Sequence, residues 1–284
     1  MINLSTVDYK DPNAYSVFGN SMRDTGFAII CNHDISYDLM DNVYEEWKMF
    51  FNMPDDYKSK FLFQREYGVV QDGFYPISIS EKAKGYNHSD IKEFYHFSPD
   101  GRSLPDIIRY TNILYNDLLD LAVTLLTWLS RHIGGHYSIK QPLEEVVDRS
   151  CQTILRAIHY PPLPDSVEQH AMRAAPHEDI NFITLLIAAT EPGLEVQDKH
   201  KRWHQVSPKK HSIVVNAGDM LSEFTDGYYK STTHRVINPQ DSNHSRYSMP
   251  LFVHPMFDVK LSNRYTAKQY LDERLKELGL LSKT

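Results

Sequence analysis

Cysteine is almost missing from this chain. Cys31 and Cys151 are the only two in 284 residues, far apart and in no metal-like spacing. A cysteine-built metal site is thereby excluded, and the pair reads as small buried hydrophobes in a reducing compartment rather than as a disulfide framework. Cationic excess is missing too: the formal charge is −7, and Lys and Arg are dispersed. A nucleic-acid groove or an anionic membrane surface needs clustered cations, so neither is expected as a partner. The densest basic run, Lys199-His-Lys-Arg202, is short and reads as a solvated hairpin tip. The start of the chain has neither a charged leader nor a long apolar run, so nothing resembles a secretory signal. No stretch reads as apolar enough to span a bilayer, and there is no internal repeat or low-complexity segment. What is present is a folded chain, with 41% hydrophobic residues, 18 Tyr, 13 Phe and 3 Trp. The expectation is one cytoplasmic domain over 1–284, monomeric or weakly homo-oligomeric, acting on a small molecule.

Periodicity divides the chain. Ser36 is placed to cap a helix in which Leu39, Met40, Val43, Trp47 and Phe50 recur at helical spacing, with Pro54 stopping it. A longer helix is expected from about Asp106 to Ile133 on the stripe Leu114, Leu118, Leu121, Leu125 and Leu129, with Gly134-Gly135 as its exit. Between them, from about Gln64 to Pro105, an irregular stretch rich in Tyr, Ser and Gly reads as a functional loop or lid. From Thr153 onward short strands alternate with turns: Thr153–His159, Phe182–Ala189, Leu194–Gln197, Arg202–Val206, Ser212–Asn216, Ser231–Val236 and Arg246–Val253. Such spacing points to a sandwich or jelly roll. Thr266 with Gln269 forms a capping box for a terminal helix to Leu278, closed by Gly279. The layout is therefore mainly β with flanking helices: 1–105 a helical region and irregular segment, 106–150 a support helix and connection, 151–256 a jelly-roll core and 257–284 a C-terminal helix.

His177 and Asp179, with His234 far downstream, are the cluster that proposes a chemistry. Residues two apart on a strand share a face, so His177 and Asp179 can meet one ion while Glu178 points elsewhere. Two imidazoles and one carboxylate occupy one face of an octahedral iron(II) and leave three positions free, although manganese, cobalt and zinc suit the same donors. A His-x-Asp pair alone is weak among 14 histidines, and His159, His204 and His254 read as packing or surface residues. Arg246-Tyr247-Ser248 strengthens the reading: a guanidinium and a hydroxyl on one strand face make a receptor for one end of a small dicarboxylate.

Several stretches together resemble the iron(II)- and 2-oxoglutarate-dependent dioxygenases of the isopenicillin N synthase-like branch. They are Arg156-Ala-Ile-His-Tyr-Pro-Pro, Pro176-His-Glu-Asp, Val214-Val-Asn-Ala-Gly-Asp-Met-Leu, Tyr229-Lys-Ser-Thr-Thr-His-Arg-Val-Ile-Asn-Pro and Arg246-Tyr-Ser-Met-Pro-Leu-Phe. Asp24-Thr-Gly-Phe, Cys31-Asn-His, Phe50-Phe-Asn-Met-Pro and Asp90-Ile-Lys-Glu-Phe resemble the N-terminal region and linker of that family, so the likeness covers nearly the whole chain. The resemblance implies a distorted jelly roll, the cupin-like double-stranded β-helix. It implies iron(II) on His177, Asp179 and His234, and 2-oxoglutarate held at its distal carboxylate by Arg246, Ser248 and Tyr160. It also implies dioxygen as second co-substrate, and conversion of 2-oxoglutarate to succinate coupled to oxidation, most commonly hydroxylation, of a small metabolite. Many relatives carry Asn two residues before the Tyr, where this chain has Ile158. Asn216, Lys92 and Glu93 read as structural. Tyr75, Tyr86, Phe94, Phe182, Phe252, Phe257 and Tyr265 are candidate pocket walls, and Lys84 and Arg102 candidate substrate cations. Two alternatives remain at this point: an oxidase that works without 2-oxoglutarate, as isopenicillin N synthase does, or a jelly-roll protein that binds without turnover.

Overall fold

A computed structural model describes residues 4–63, 72–79, 90–101, 104–134, 141–147, 152–163, 173–238 and 243–277. Two facing sheets organise them. The larger has eight strands in the order β1 (Thr6–Asp8), β2 (Phe27–Cys31), β10 (Ile213–Ala217), β7 (Ile183–Ile187), β12 (Arg246–Val253), β5 (Ile154–Tyr160), β4 (Glu93–Phe97) and β3 (Gly73–Tyr75). The smaller has four, β6 (Ala174–His177), β11 (His234–Val236), β8 (Leu194–Gln197) and β9 (Trp203–Gln205). This is a double-stranded β-helix with flanking helices. Lys201, at the β8–β9 tip, takes a positive φ of 63°, as a tight hairpin there requires.

Two-residue alternation sorts the large sheet into two faces. Leu155, Ala157, Leu185, Ile187, Val215, Met249 and Leu251 turn outward into a continuous core with the helices. Those helices are chiefly α1 (Ala14–Thr25), α2 (Tyr37–Phe51) and α4 (Thr111–Gly134). The opposite, inner face carries Phe27, Ile29 and Val214 against Leu194, Val196 and Val206 of the small sheet. Further along, the same face carries Ile158, Tyr160, Phe94 and Tyr75. Arg246, Ser248 and Phe252 share its parity on β12, because they alternate with the outward Tyr247, Met249 and Leu251. Arg246 and Ser248 thus lie between the sheets, whereas other buried polar groups, such as Glu46 and Glu93, are satisfied on the helix side.

Several sequence expectations need correction. The N-terminal region is not only helical, since β1 and β2 extend one edge of the large sheet. The stretch 64–105 contains β3 and β4, which form its other edge. The long helix starts at Thr111 rather than near Asp106. The cause is Glu46 of α2, whose carboxylate accepts from the backbone N–H groups of Arg109 (2.9 Å) and Tyr110 (3.1 Å), so the preceding turn is held in a different shape. By length and composition α4 is also apolar enough to cross a membrane, with a mean hydropathy of 1.2. Its five stripe leucines are nevertheless buried in the core, where each contributes about 2 kcal/mol, and it reads as a core helix. The caps behave as expected: Ser36 accepts from Leu39 N–H (3.3 Å). Thr266 and Gln269 exchange reciprocal bonds at the start of α6 (Ala267–Glu277). Gly135, Cys151, Leu278 and Gly279 lie outside the described residues, and Cys31 is a free thiol.

Candidate metal and carboxylate site

His177 closes β6 and His234 opens β11. Antiparallel register sets the two directly opposite, and their rings lie 4.4 Å apart between centroids. Asp179 stands two residues beyond His177 in the turn to β7. Its Oδ1 is 3.8 Å from His177 Nε2 and 3.7 Å from His234 Nε2, and all three donor atoms lie within 4.8 Å of one another. Glu178, between them, turns away and accepts from Thr233 Oγ1 (2.8 Å).

Hydrogen bonding selects which atoms are free. His177 Nδ1 lies 2.8 Å from the Ala175 carbonyl, and His234 Nδ1 lies 3.1 Å from the Thr232 carbonyl. A carbonyl can only accept, so both Nδ1 atoms carry the proton and both Nε2 lone pairs point at the shared space. Asp179 Oδ2 accepts from Thr184 Oγ1 (2.6 Å) on β7 and Asn216 Nδ2 (2.8 Å) on β10. Oδ1 is the oxygen left for an ion. Burial opposes ionisation of Asp179, yet His234, His177 and the two hydrogen bonds outweigh it and hold the carboxyl below its ordinary range. Burial, reinforced by His234, pulls His177 down to about 4, so its imidazole is neutral near pH 7 and can ligate. Two neutral imidazoles and one carboxylate, each with its second atom tied down, fit a divalent transition ion.

Arg246, at the start of β12, pairs in register with Tyr160 on β5. Its guanidinium lies 5.1 Å from the Tyr160 ring, and its Nε donates to the Glu191 carbonyl (3.0 Å). Among the described residues, Nη1 is buried with no partner. Ser248 is buried on the same face two residues on. A buried donor left unpaired costs about 1–3 kcal/mol, which an incoming carboxylate would relieve.

The aromatic candidates separate. Tyr75 and Phe94 stack on the inner face at 4.6 Å. Phe252 joins them through Arg156, whose guanidinium lies 4.4 Å from Phe94 and 5.1 Å from Phe252 and whose Nε donates to His96 Nε2 (2.6 Å). Phe182 is not a wall, because it is fully buried in the outer core against Phe224. Phe257 and Tyr265 pack by α6 instead, against Lys268 and Tyr270. Tyr86, Lys84 and Arg102 lie outside the described residues.

Lys92 pairs with Asp90 (2.8 Å). Glu93 bridges Lys58 (3.0 Å) and His159 (2.7 Å). Sequence reading missed Thr184 and Arg173 and took Asn216 for a turn residue. Asn216 had left a signal, since a buried amide in Ile213-Val-Val-Asn-Ala needs a partner. Gly218, after it, is fixed by close approach: an added Cβ would sit 2.1 Å from the Asn181 carbonyl oxygen of the loop that carries Asp179.

Comparison with known proteins is consistent with this geometry. Residues 151–255 match the family described as the 2OG-Fe(II) oxygenase superfamily. Residues 1–116 match that described as non-haem dioxygenase in morphine synthesis N-terminal. Jasmonate-induced oxygenase 1 of Arabidopsis thaliana is 30% identical over 248 residues, 84% of this chain but 59% of that protein, so the chain spans about three-fifths of its length. The 2-oxoglutarate-dependent dioxygenase citB of Monascus ruber is 30% identical over 272 residues, covering 88% of this chain and 80% of that one. A crystal structure from Shewanella oneidensis, of a protein assigned as an oxygenase, superposes with a TM-score of 0.83 at 44% identity, covering 98% of this chain and 100% of that one.

Proposed function

The chain belongs to the 2OG-Fe(II) oxygenase superfamily and is a 2-oxoglutarate-dependent dioxygenase, and on that premise we propose that it hydroxylates a small organic metabolite with His177, Asp179 and His234 as its iron ligands. Bound iron(II) and 2-oxoglutarate supply the oxidation, one oxygen atom of dioxygen going to succinate and the other to the substrate as carbon dioxide is released. The protein's share is placement and exclusion of water. His177 and His234 offer Nε2 because their Nδ1 protons are held by backbone carbonyls. Asp179 offers Oδ1 because Thr184 and Asn216 hold Oδ2. Arg246 and Ser248 donate to the distal carboxylate of the co-substrate, with Tyr160 as the wall under the guanidinium. Phe94, Tyr75 and Phe252 around Arg156 suit a small planar or acidic substrate. The N-terminal match supports the isopenicillin N synthase-like branch. The charge of −7 with dispersed cations supports a chain without nucleic-acid or anionic-membrane partners. The scarcity of cysteine supports a reducing, cytoplasmic setting for a monomer or weak homo-oligomer.

The observation that carries the reading is the convergence of three free donor atoms within 4.8 Å. Anaerobic titration with iron(II), with and without 2-oxoglutarate, tests it. A weak visible charge-transfer band that needs both components, and fades in Arg246→Ala, is expected. Iron binding without any band would sink the co-substrate assignment in favour of oxidation without 2-oxoglutarate.

A further inference from the structure

Arg246 is not the only guanidinium at its end of the barrel. Arg173, the residue before β6, is equally buried, each keeping 2% of its surface. Its Nη2 donates to the His244 carbonyl (2.6 Å), two residues before Arg246 in the chain, and its backbone N–H donates to Asn238 Oδ1 (3.1 Å). One short stretch, His244–Arg246, therefore brings the two guanidiniums into the same enclosure. Each withholds one buried N–H from the rest of the described protein: among the described residues, Nη1 of Arg246 and Nε of Arg173 have no acceptor. Among the described residues neither is in an ion pair with a carboxylate. Burial, and then the charge of Arg246, draw Arg173 below the ordinary arginine range, with Tyr160 and Glu191 acting the other way. Two buried like charges without a counter-ion form a costly arrangement. An arginine kept only for structure would turn all its donors to protein acceptors.

We propose that Arg173 and Arg246 form a two-guanidinium well that closes on a single carboxylate, with Arg173 a binding residue for the distal end of the co-substrate. A carboxylate has about four lone-pair sites, enough for Nη1 of Arg246, Nε of Arg173 and the Ser248 hydroxyl together. The inference rests on Arg246 as the co-substrate contact and adds two consequences to it. The well is formed before any metal arrives, and it binds a dicarboxylate that lacks the keto group.

Calorimetric titration of the metal-free full chain with glutarate, the five-carbon dicarboxylate without a keto oxygen, tests both consequences. Wild type is expected to bind, and Arg173→Gln to bind roughly 10- to 100-fold more weakly, the range for losing one charge-assisted hydrogen bond. Arg173→Lys keeps the charge and can still reach the His244 carbonyl, but has no Nε to offer. It is expected to melt near wild type yet lose several-fold in affinity, and it decides the matter where the Gln variant does not fold. No glutarate binding by metal-free wild type would overturn the well. So would unchanged glutarate affinity in a folded Arg173 variant while Arg246→Gln is impaired, which leaves the Arg246 assignment standing. Unchanged 2-oxoglutarate affinity of the manganese-loaded Arg246→Gln variant would instead remove the assignment on which the well depends.

Discussion

Asp179 divides its two carboxylate oxygens between two tasks, and most of the site's chemistry at the residue scale follows from that division. Oδ2 is held from the large sheet by Thr184 and Asn216, which leaves Oδ1 oriented between two imidazole nitrogens. Thr184→Val or Asn216→Ala should leave the fold intact and weaken manganese or iron affinity about 10- to 100-fold, the usual cost of losing an outer-shell partner. Metal titration checks it, and unchanged affinity in both variants would mean Asp179 needs no support. His177 contributes to the pH dependence, as does His33, which burial also holds below its ordinary value. The folded pKa of His177, about 4, lies below the unfolded value of about 6.5, so between those values the unfolded state binds the extra proton. The metal-free protein should therefore lose stability as pH falls from about 6.5 toward 4. His177→Ala should show a shallower loss in that window, and parallel urea curves for the two proteins would contradict it. His177 with Asp179 and Arg246 with Ser248 were legible because such chemistry needs particular residue types at short spacings, whereas the distant His234 and Tyr160 rest on the family resemblance. Thr184 and Arg173 were not legible, because each acts through partners on distant strands.

Elements divide by where their polar groups find partners. The strands β8 and β12 have the bounds expected from the sequence, Leu194–Gln197 and Arg246–Val253, because turns and apolar residues delimit them locally. β4 was hidden, since Glu93-Phe-Tyr-His-Phe97 is buried throughout and its polar residues break the apolar pattern of a strand. They are satisfied only at long range, by Lys58, His159 and Arg156. The start of α4 was hidden for the same reason, being set by Glu46 on another helix. Glu93 offers a test of this account. Its two oxygens hold Lys58 of α3 (Asp55–Lys58) and His159 of β5, so one side chain ties a helix to two strands. Glu93→Gln takes the buried carboxylate from Lys58, which keeps the exposed Asp55 carboxylate at 3.3 Å and the Phe51 carbonyl. Equilibrium urea unfolding should then show a loss of about 1–3 kcal/mol, whereas a change under about 0.5 kcal/mol would show that Asp55 and water replace the carboxylate.

At the scale of the whole molecule, the two sheets are held together unequally. The β8–β9 end of the small sheet is fastened by Leu194, Val196 and Val206 against Phe27, Ile29 and Val214. The β6 edge has no such fastening, since Ala174 and Ala175 belong to none of the apolar clusters although both are buried. What crosses from that edge is polar: Asp179 through Thr184 and Asn216, and the Ala175 N–H, which donates to Asp90 Oδ1 (3.2 Å) just before β4. A metal shared by His177, His234 and Asp179 would therefore act as a clip between the sheets as well as a reaction centre. Ligands that bind only the folded state stabilise by mass action, about 2.7 kcal/mol at a hundredfold excess over Kd. For a chain of this size that is a rise of roughly 5–10 °C in melting temperature. The clip also predicts where the gain appears. Amide exchange in 174–177 and 234–236 should slow most when iron(II) is added anaerobically, while 194–197, already fastened by its apolar cluster, should change little. Uniform slowing across both sheets would indicate that the small sheet opens as one unit with the rest of the barrel, and that the β6 edge has no separate weakness for the metal to repair.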